Sequence, residues 1–286
     1  MNFKERTTWL KIASCPSISA KKRAGIWQKL SDFNQWDIQV TEFVASFFNE
    51  DKANQIINEL ENAAPYTNDE VTIIFILDDE YPKLLKEIYE APPLLFCKGD
   101  VELFHRQAVA VVGTRKMSDY GRKACMSIAK QLARQNITVV SGLANGIDTE
   151  AHLAACITNG NTIAVLGSGV ENIYPKKNIQ LANEISQKGL ILSEYLPTEE
   201  ARRWYFPERN RIISGLALGT VIIEAAERSG SLITADFALE QNRQVFAVPG
   251  SIFSDTCKGT NNLIQEGAKL VINANNIIEE FFQIKL

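Results

Sequence analysis

Residues 137–157 read Ile137-Thr-Val-Val140-Ser-Gly-Leu-Ala-Asn-Gly-Ile-Asp148-Thr-Glu-Ala-His152-Leu-Ala-Ala-Cys-Ile157. A β-branched run leads into a turn with two glycines, and an amphipathic pattern with helical spacing follows. This is one strand–turn–helix unit, and the chain repeats it on both sides. Apolar runs at 71–77, 94–97, 108–112, 162–166, 190–193, 220–224, 245–248 and 269–272 predict further strands. Helical patterns at 120–135, 179–187, 232–241 and 276–282 fall between or after them. Continuous Val/Ile runs alternating with helices predict an α/β fold, a mostly parallel sheet covered by helices on both faces.

Such a sheet takes its ligands at the carboxyl ends of its strands. There the chain places small residues. The 108–112 run ends in Gly113-Thr114-Arg115, the 137–140 run in Ser141-Gly142, the 162–166 run in Gly167-Ser168-Gly169, and the 220–224 run in Ala225-Ala-Glu-Arg-Ser229-Gly230-Ser231. Glycine lets backbone approach a ligand closely, and free amides at helix starts attract anions. Arg115, Lys176, Lys177 and Arg211 bring positive charge to the same edge. Together these features predict a phosphate-binding face.

The ligand is not a dinucleotide, because no GxGxxG follows the first strand: Gly113 stands alone, and Asn172 replaces a third glycine after Gly167 and Gly169. No GxxxxGK[ST] occurs either, which argues against a P-loop nucleotidase. Two histidines and five scattered cysteines, none in a CxxC pair, offer no metal site, so no metal and no cofactor is expected. The cysteines read as reduced residues packed like small hydrophobes. No apolar run reaches membrane-span length and no signal peptide is visible, so a cytoplasmic protein without membrane contact is expected.

Net charge is −4, so any nucleic-acid contact must use a local basic patch. Residues 1–64 lack strand-like runs and carry helical spacing, as in Trp9, Ile12 and Ala13 and in Phe43, Val44, Phe47 and Phe48. A polar linker around Pro65 ends them. The domains are therefore expected at 1–64 and 65–286. The basic stretch Pro16-Ser-Ile-Ser-Ala-Lys-Lys-Arg23 reads as a solvated face.

Catalytic signals are thin. Glu224 and Glu227 lack a matched acid–base partner, and Glu224 reads as a holder of a loop amide. Asp148 and His152, four apart, read as an N-terminal cap with an orienting histidine. Trp204-Tyr205-Phe206 could stack bases, but reads more readily as packing against the sheet. Leu263, Ile264 and Leu270, with Ile277, Ile278, Phe281 and Phe282, supply more apolar surface than so late a segment needs, which points to a homodimer.

Seven ordered motifs carry a resemblance. They are Gly113-Thr-Arg115; Ser141-Gly-Leu-Ala-Asn-Gly-Ile-Asp148; Leu166-Gly-Ser-Gly169 with Ile173-Tyr-Pro175; Glu208-Arg-Asn-Arg-Ile-Ile-Ser-Gly215; Glu224-Ala-Ala-Glu-Arg-Ser-Gly-Ser-Leu-Ile-Thr234; Phe246-Ala-Val-Pro-Gly250; and Lys258-Gly-Thr-Asn-Asn262. Over residues 70–273 the chain resembles the DNA-processing protein A family (DprA, also called Smf). The resemblance implies a Rossmann-like domain after a small SAM-like helical domain. It also implies a non-enzymatic dimer that binds single-stranded DNA and loads the RecA recombinase during natural transformation. Carried over by position, Arg115 and a lysine after Tyr174-Pro175 are the main phosphate contacts. Gly113, Thr114, Ser141, Gly142, Ser168, Gly169, Asn210, Arg211 and Ser229-Gly230-Ser231 complete the expected DNA-binding set. Some family members carry an aromatic shortly after that lysine, where this chain has Ile179 and Leu181, and the winged-helix domain that many members add at the C-terminus is not expected here. The rival reading is an enzyme of the nucleoside-monophosphate phosphoribohydrolase type, since Glu224 before Ser-Gly-Ser resembles that active-site turn. A pure interaction scaffold is the third.

Overall fold

The computed structural model describes residues 3–15, 17–33, 40–64 and 66–281. Its centre is a nine-stranded sheet: β1 (Thr72–Phe75), β2 (Leu94–Gly99), β3 (Ala108–Val112), β4 (Thr138–Ser141), β5 (Thr162–Val165), β6 (Leu190–Ser193), β7 (Gly219–Ile222), β8 (Gln244–Ala247) and β9 (Lys269–Leu270). Every expected strand is present. The order is β1-β2-β6-β5-β4-β3-β7-β8-β9. From β6 to β9 all neighbours are parallel, and β1–β2 and β2–β6 are antiparallel. The architecture is Rossmann-like and mostly parallel, as expected.

β3 shows why its sequence is apolar throughout. Successive side chains of a strand point to opposite faces. Val109 and Val111 enter one core, with Ile128 and Leu132 of helix Asp119–Arg134 and Ile277 of helix Asn275–Phe281. Ala108, Ala110 and Val112 enter the other, with Ile212 and Ile213 of helix Tyr205–Gly215. Both faces are buried, so no polar residue alternates.

The chain winds outward from β3 through β4, β5 and β6, then returns to β7 on the other side of β3. The strand order therefore reverses between β3 and β7, which is where an open α/β sheet splits apart and leaves a crevice.

Helices Phe3–Ser14, Ala20–Phe33, Val40–Ala45 and Glu50–Asn62 precede the sheet. Trp9 and Trp27 pack with ring centroids 5.2 Å apart. Arg23 is a correction to the solvated basic face. It is buried and donates to the carbonyls of Ala13 (3.3 Å), Ile18 (3.2 Å) and, in the sheet body, Glu194 (3.2 Å). Lys21 and Lys22 do stay exposed. Pro65, at the expected domain boundary, and Phe282 lie outside the described residues. All five cysteines are free and buried, as their expected packing role requires. Among the described residues, no helix is long and apolar enough to cross a membrane.

Candidate nucleic-acid interface

A cavity of about 440 Å³ opens beyond the ends of β3 and β7, at the reversal point. Gly113, Thr114, Arg115 and Lys116 line one side, and Ser229, Gly230, Ser231 and Thr234 line another. Asp148 lies behind them, and Phe206, Arg209 and Asn210 of helix Tyr205–Gly215 close the wall.

Close backbone packing makes this possible. A Cβ on Gly113 would sit 2.7 Å from Ile147 Cγ1 and 2.9 Å from the Glu224 carbonyl. Without one, the Thr114 amide donates to the Glu224 carbonyl (2.7 Å), and the Ile147 amide donates to the Thr114 carbonyl (3.2 Å). The turns after β3, β4 and β7 are thereby laced into one floor. On its rim, the Ser229 and Ser231 hydroxyls lie 2.8 Å apart, and Gly230 faces open space.

The charges divide by burial. Asp148 and Arg209 are both buried in the cavity wall. Arg209 donates to the carbonyls of Gly142 (2.7 Å) and Val165. Burial lowers the Arg209 guanidinium to about 10, against the opposing pull of Asp148. Burial also raises the Asp148 carboxyl above its usual range, although Arg209 and the Ala144 amide favour its charge. Asp148 accepts from the Ala144 amide (3.4 Å) in the preceding loop and is not the N-terminal cap expected of it, because helix Ile147–Ile157 starts from Gly146 with no side-chain cap bond. His152 turns instead to Thr162, with Nδ1 2.7 Å from Oγ1. Arg115 and Lys116, by contrast, are exposed, and the Arg115 guanidinium lies 5.3 Å from the centroid of the Phe206 ring. None of the ion pairs among the described residues involves Arg115, Lys116, Lys176 or Lys177.

Seven expected residues gather at the cavity: Gly113, Thr114, Arg115, Asn210, Ser229, Gly230 and Ser231. Lys176 and Lys177 lie outside it, exposed on the turn Lys176–Asn178. The buried Asn178 amide ties that turn to the Leu143 carbonyl and the Thr149 hydroxyl, both at 2.9 Å.

Others face inward. Arg211 is a correction: its guanidinium is buried and bridges both Glu194 oxygens, so no phosphate reaches it. Ser141 is buried with its hydroxyl on the Val111 carbonyl (2.7 Å), and Gly142 presents its carbonyl to Arg209. Ser168 is buried too, and Gly169 packs so tightly on the Leu196 and Pro197 backbone that no Cβ would fit. These four support the floor and do not line the cavity. Among the dimer candidates, Leu263 is core, Ile264 is half-buried against it, and only Leu270 is exposed. Ile277 and Ile278 are buried as well, and Phe281 packs on Phe246 with centroids 5.6 Å apart.

Glu224 holds a loop amide, as its sequence position suggested. It is fully buried, and its carboxylate accepts from the Ser118 amide (2.9 Å) and the Thr256 hydroxyl. Sequence reasoning missed Lys116, Arg209 and Asn178, and read Phe206 as packing against the sheet although it lines the cavity. Lys116 was legible as the neighbour of Arg115; the others join the site only through the tertiary fold.

A family model for DNA recombination-mediator protein A matches residues 72–282. The DNA processing protein DprA of Streptococcus pneumoniae is 50% identical over 206 residues, covering 72% of this chain and 73% of that protein. The X-ray structure of S. pneumoniae DNA processing protein A matches with a TM-score of 0.85 and 37% identity, over 96% of this chain and 98% of that one. DNA processing protein A from Helicobacter pylori, solved for its single-stranded DNA binding mode, matches with a TM-score of 0.68 and 30% identity, over 75% and 96%.

Proposed function

The chain belongs to the DNA recombination-mediator protein A family, and we propose from that premise that it binds single-stranded DNA through the cavity between β3 and β7. The observation that carries this reading is the pair of exposed, unpaired cations, Arg115 and Lys116, on a floor of glycine and serine turns. A guanidinium can fork across a phosphate, and lysine adds a mobile point charge. Lys176 and Lys177 extend the positive edge beyond the cavity. Cations beside glycine and serine turns suit phosphate oxygens, so contact is with the backbone, independent of base order.

In this reading the protein works in the cytoplasm. Residues 1–64 form a helical unit and 65–286 the DNA-binding body. The chain acts by binding and not by turnover, protecting incoming DNA and loading RecA during natural transformation. The recombinase rests on family membership alone. The state is a homodimer, held by Leu270 and Ile264 with neighbouring exposed Ile272. The engagement of Glu224 by Ser118 and Thr256 favours binding over nucleoside-monophosphate hydrolysis, because that carboxylate lies under the loops and not in the cavity.

The test is a gel shift with short oligothymidylates across a salt series, run beside a base-release assay on nucleoside monophosphates. A shift without base release supports the proposal; base release supports the hydrolase; neither result favours a scaffold. Light scattering at tens of micromolar tests the dimer, and a pull-down of RecA with and without DNA tests the partner.

A further inference from the structure

Tyr174 lies nine residues beyond β5 with half of its surface, 50%, exposed. Its ring sits 5.5 Å from that of Phe206, tilted by 44°. Phe206 in turn lines the cavity and carries the Arg115 guanidinium over its ring. Tyr174, Phe206 and Arg115 thus form one row running from the lysine turn into the cavity.

The row is held in place. A Cβ on Gly167 would lie 2.8 Å from Phe206 Cδ1, so the glycine at the end of β5 makes the seat for that ring. The Tyr174 ring leans on Phe206 at that tilt and is otherwise half exposed. Lys176 and Lys177 stand two and three residues further on, exposed and free of ion pairs among the described residues.

An aromatic ring left half open costs the fold apolar exposure, and here it is flanked by unpaired cations at both ends. Single-stranded nucleic acids are recognised by that combination: a basic path for the backbone and an aromatic face for a base. We infer that Tyr174, backed by Phe206, is a stacking platform for one unpaired DNA base, whose flanking phosphates meet Arg115 on one side and Lys176 or Lys177 on the other. The inference rests on the DNA-binding reading above and adds a base contact to a site otherwise made of backbone contacts.

The test compares an oligothymidylate with an abasic oligonucleotide of equal length, which keeps the phosphates and removes the bases. The wild-type chain is expected to bind the thymidylate at least fivefold more tightly. Tyr174→Leu keeps apolar bulk without a ring; it is expected to erase most of that preference while leaving abasic binding and the salt slope unchanged. Tyr174→Trp is expected to keep or widen the preference. Equal weakening on both oligonucleotides, or a preference that survives Tyr174→Leu, would overturn the platform while leaving DNA binding intact. Wild-type protein that bound neither oligonucleotide would remove the DNA-binding reading itself, and the platform with it. Ribo-oligonucleotides bound more tightly than DNA would overturn the choice of DNA as the ligand.

Discussion

Arg211 and Glu194 face each other as a closed fork: Nη1 donates to Oε1 at 2.8 Å and Nη2 to Oε2 at 2.7 Å, with both side chains nearly sealed from solvent. Burial works against the charge on Arg211, and Glu194 more than offsets it, so the guanidinium is held above its usual range. The pair joins helix Tyr205–Gly215 to the segment just after β6. Arg211 therefore belongs to the scaffold of the cavity wall and not to its ligand set.

Removing one member of this pair leaves a buried charge alone. Arg211→Ala is expected to cost about 3–5 kcal/mol of stability, and Arg211→Met with Glu194→Leu together much less. Urea unfolding of both singles and the double measures this. The salt slope of DNA binding should survive in any variant that folds.

Arg115 should behave in the opposite way. With Arg115, Lys116, Lys176 and Lys177 each neutralising one phosphate, log K against log salt should fall with a slope of about −3. Arg115→Ala should flatten that slope by about 0.7 and weaken all sequences alike, and Arg115→Glu should weaken binding further. The melting temperature should hardly move, because the side chain is exposed. A lower melting temperature with an unchanged slope would make Arg115 a loop brace.

Glu224→Gln tests the carboxylate that the hydrolase reading needs. It should cost about 1.5–3 kcal/mol, because a buried charged acceptor loses strength towards the Ser118 amide and the Thr256 hydroxyl. Thermal denaturation reads the loss. A variant as stable as the wild type would mean that the carboxylate is not holding these loops.

Acid stability should depend on His152. Burial holds its imidazole down at about 3, far below its ordinary value near 6.5. Between those values the unfolded chain binds the extra proton and the folded chain does not. Stability is thus fully present above pH about 6.5 and falls by up to about 1.4 kcal/mol for each unit below it. Asp148 acts with the opposite sign: its raised value makes the folded chain bind more protons just above the ordinary carboxylate range, so its contribution is lost as pH rises there. His152→Gln should flatten the acid limb of a urea-midpoint-against-pH curve, and an unchanged limb would exclude the histidine as its cause.

All nine strands, and the helices at 119–134, 147–157, 179–188 and 232–240, could be read from the chain because their signals are local: β-branched runs, a glycine turn, then an apolar repeat. The same locality made Gly113, Thr114, Arg115 and Ser229-Gly230-Ser231 recognisable as strand-end residues. Helix Tyr205–Gly215 could not be read in this way, since Pro207 suggests a break although proline is tolerated in a first turn. Without that helix, Arg209 and Arg211 look alike. At 3.6 residues per turn, two positions apart means opposite faces, so Arg209 donates to the Gly142 and Val165 carbonyls in the cavity wall and Arg211 pairs with Glu194 in the core. Ser141 and Gly169 are likewise turned inward by tertiary packing, the Ser141 hydroxyl on the Val111 carbonyl and Gly169 against the Leu196 and Pro197 backbone. The sequence by itself determined the elements and the edge where charge collects. Which side chains face the cavity was decided only by the reversal of strand order between β3 and β7, because packing across that point joins segments about a hundred residues apart.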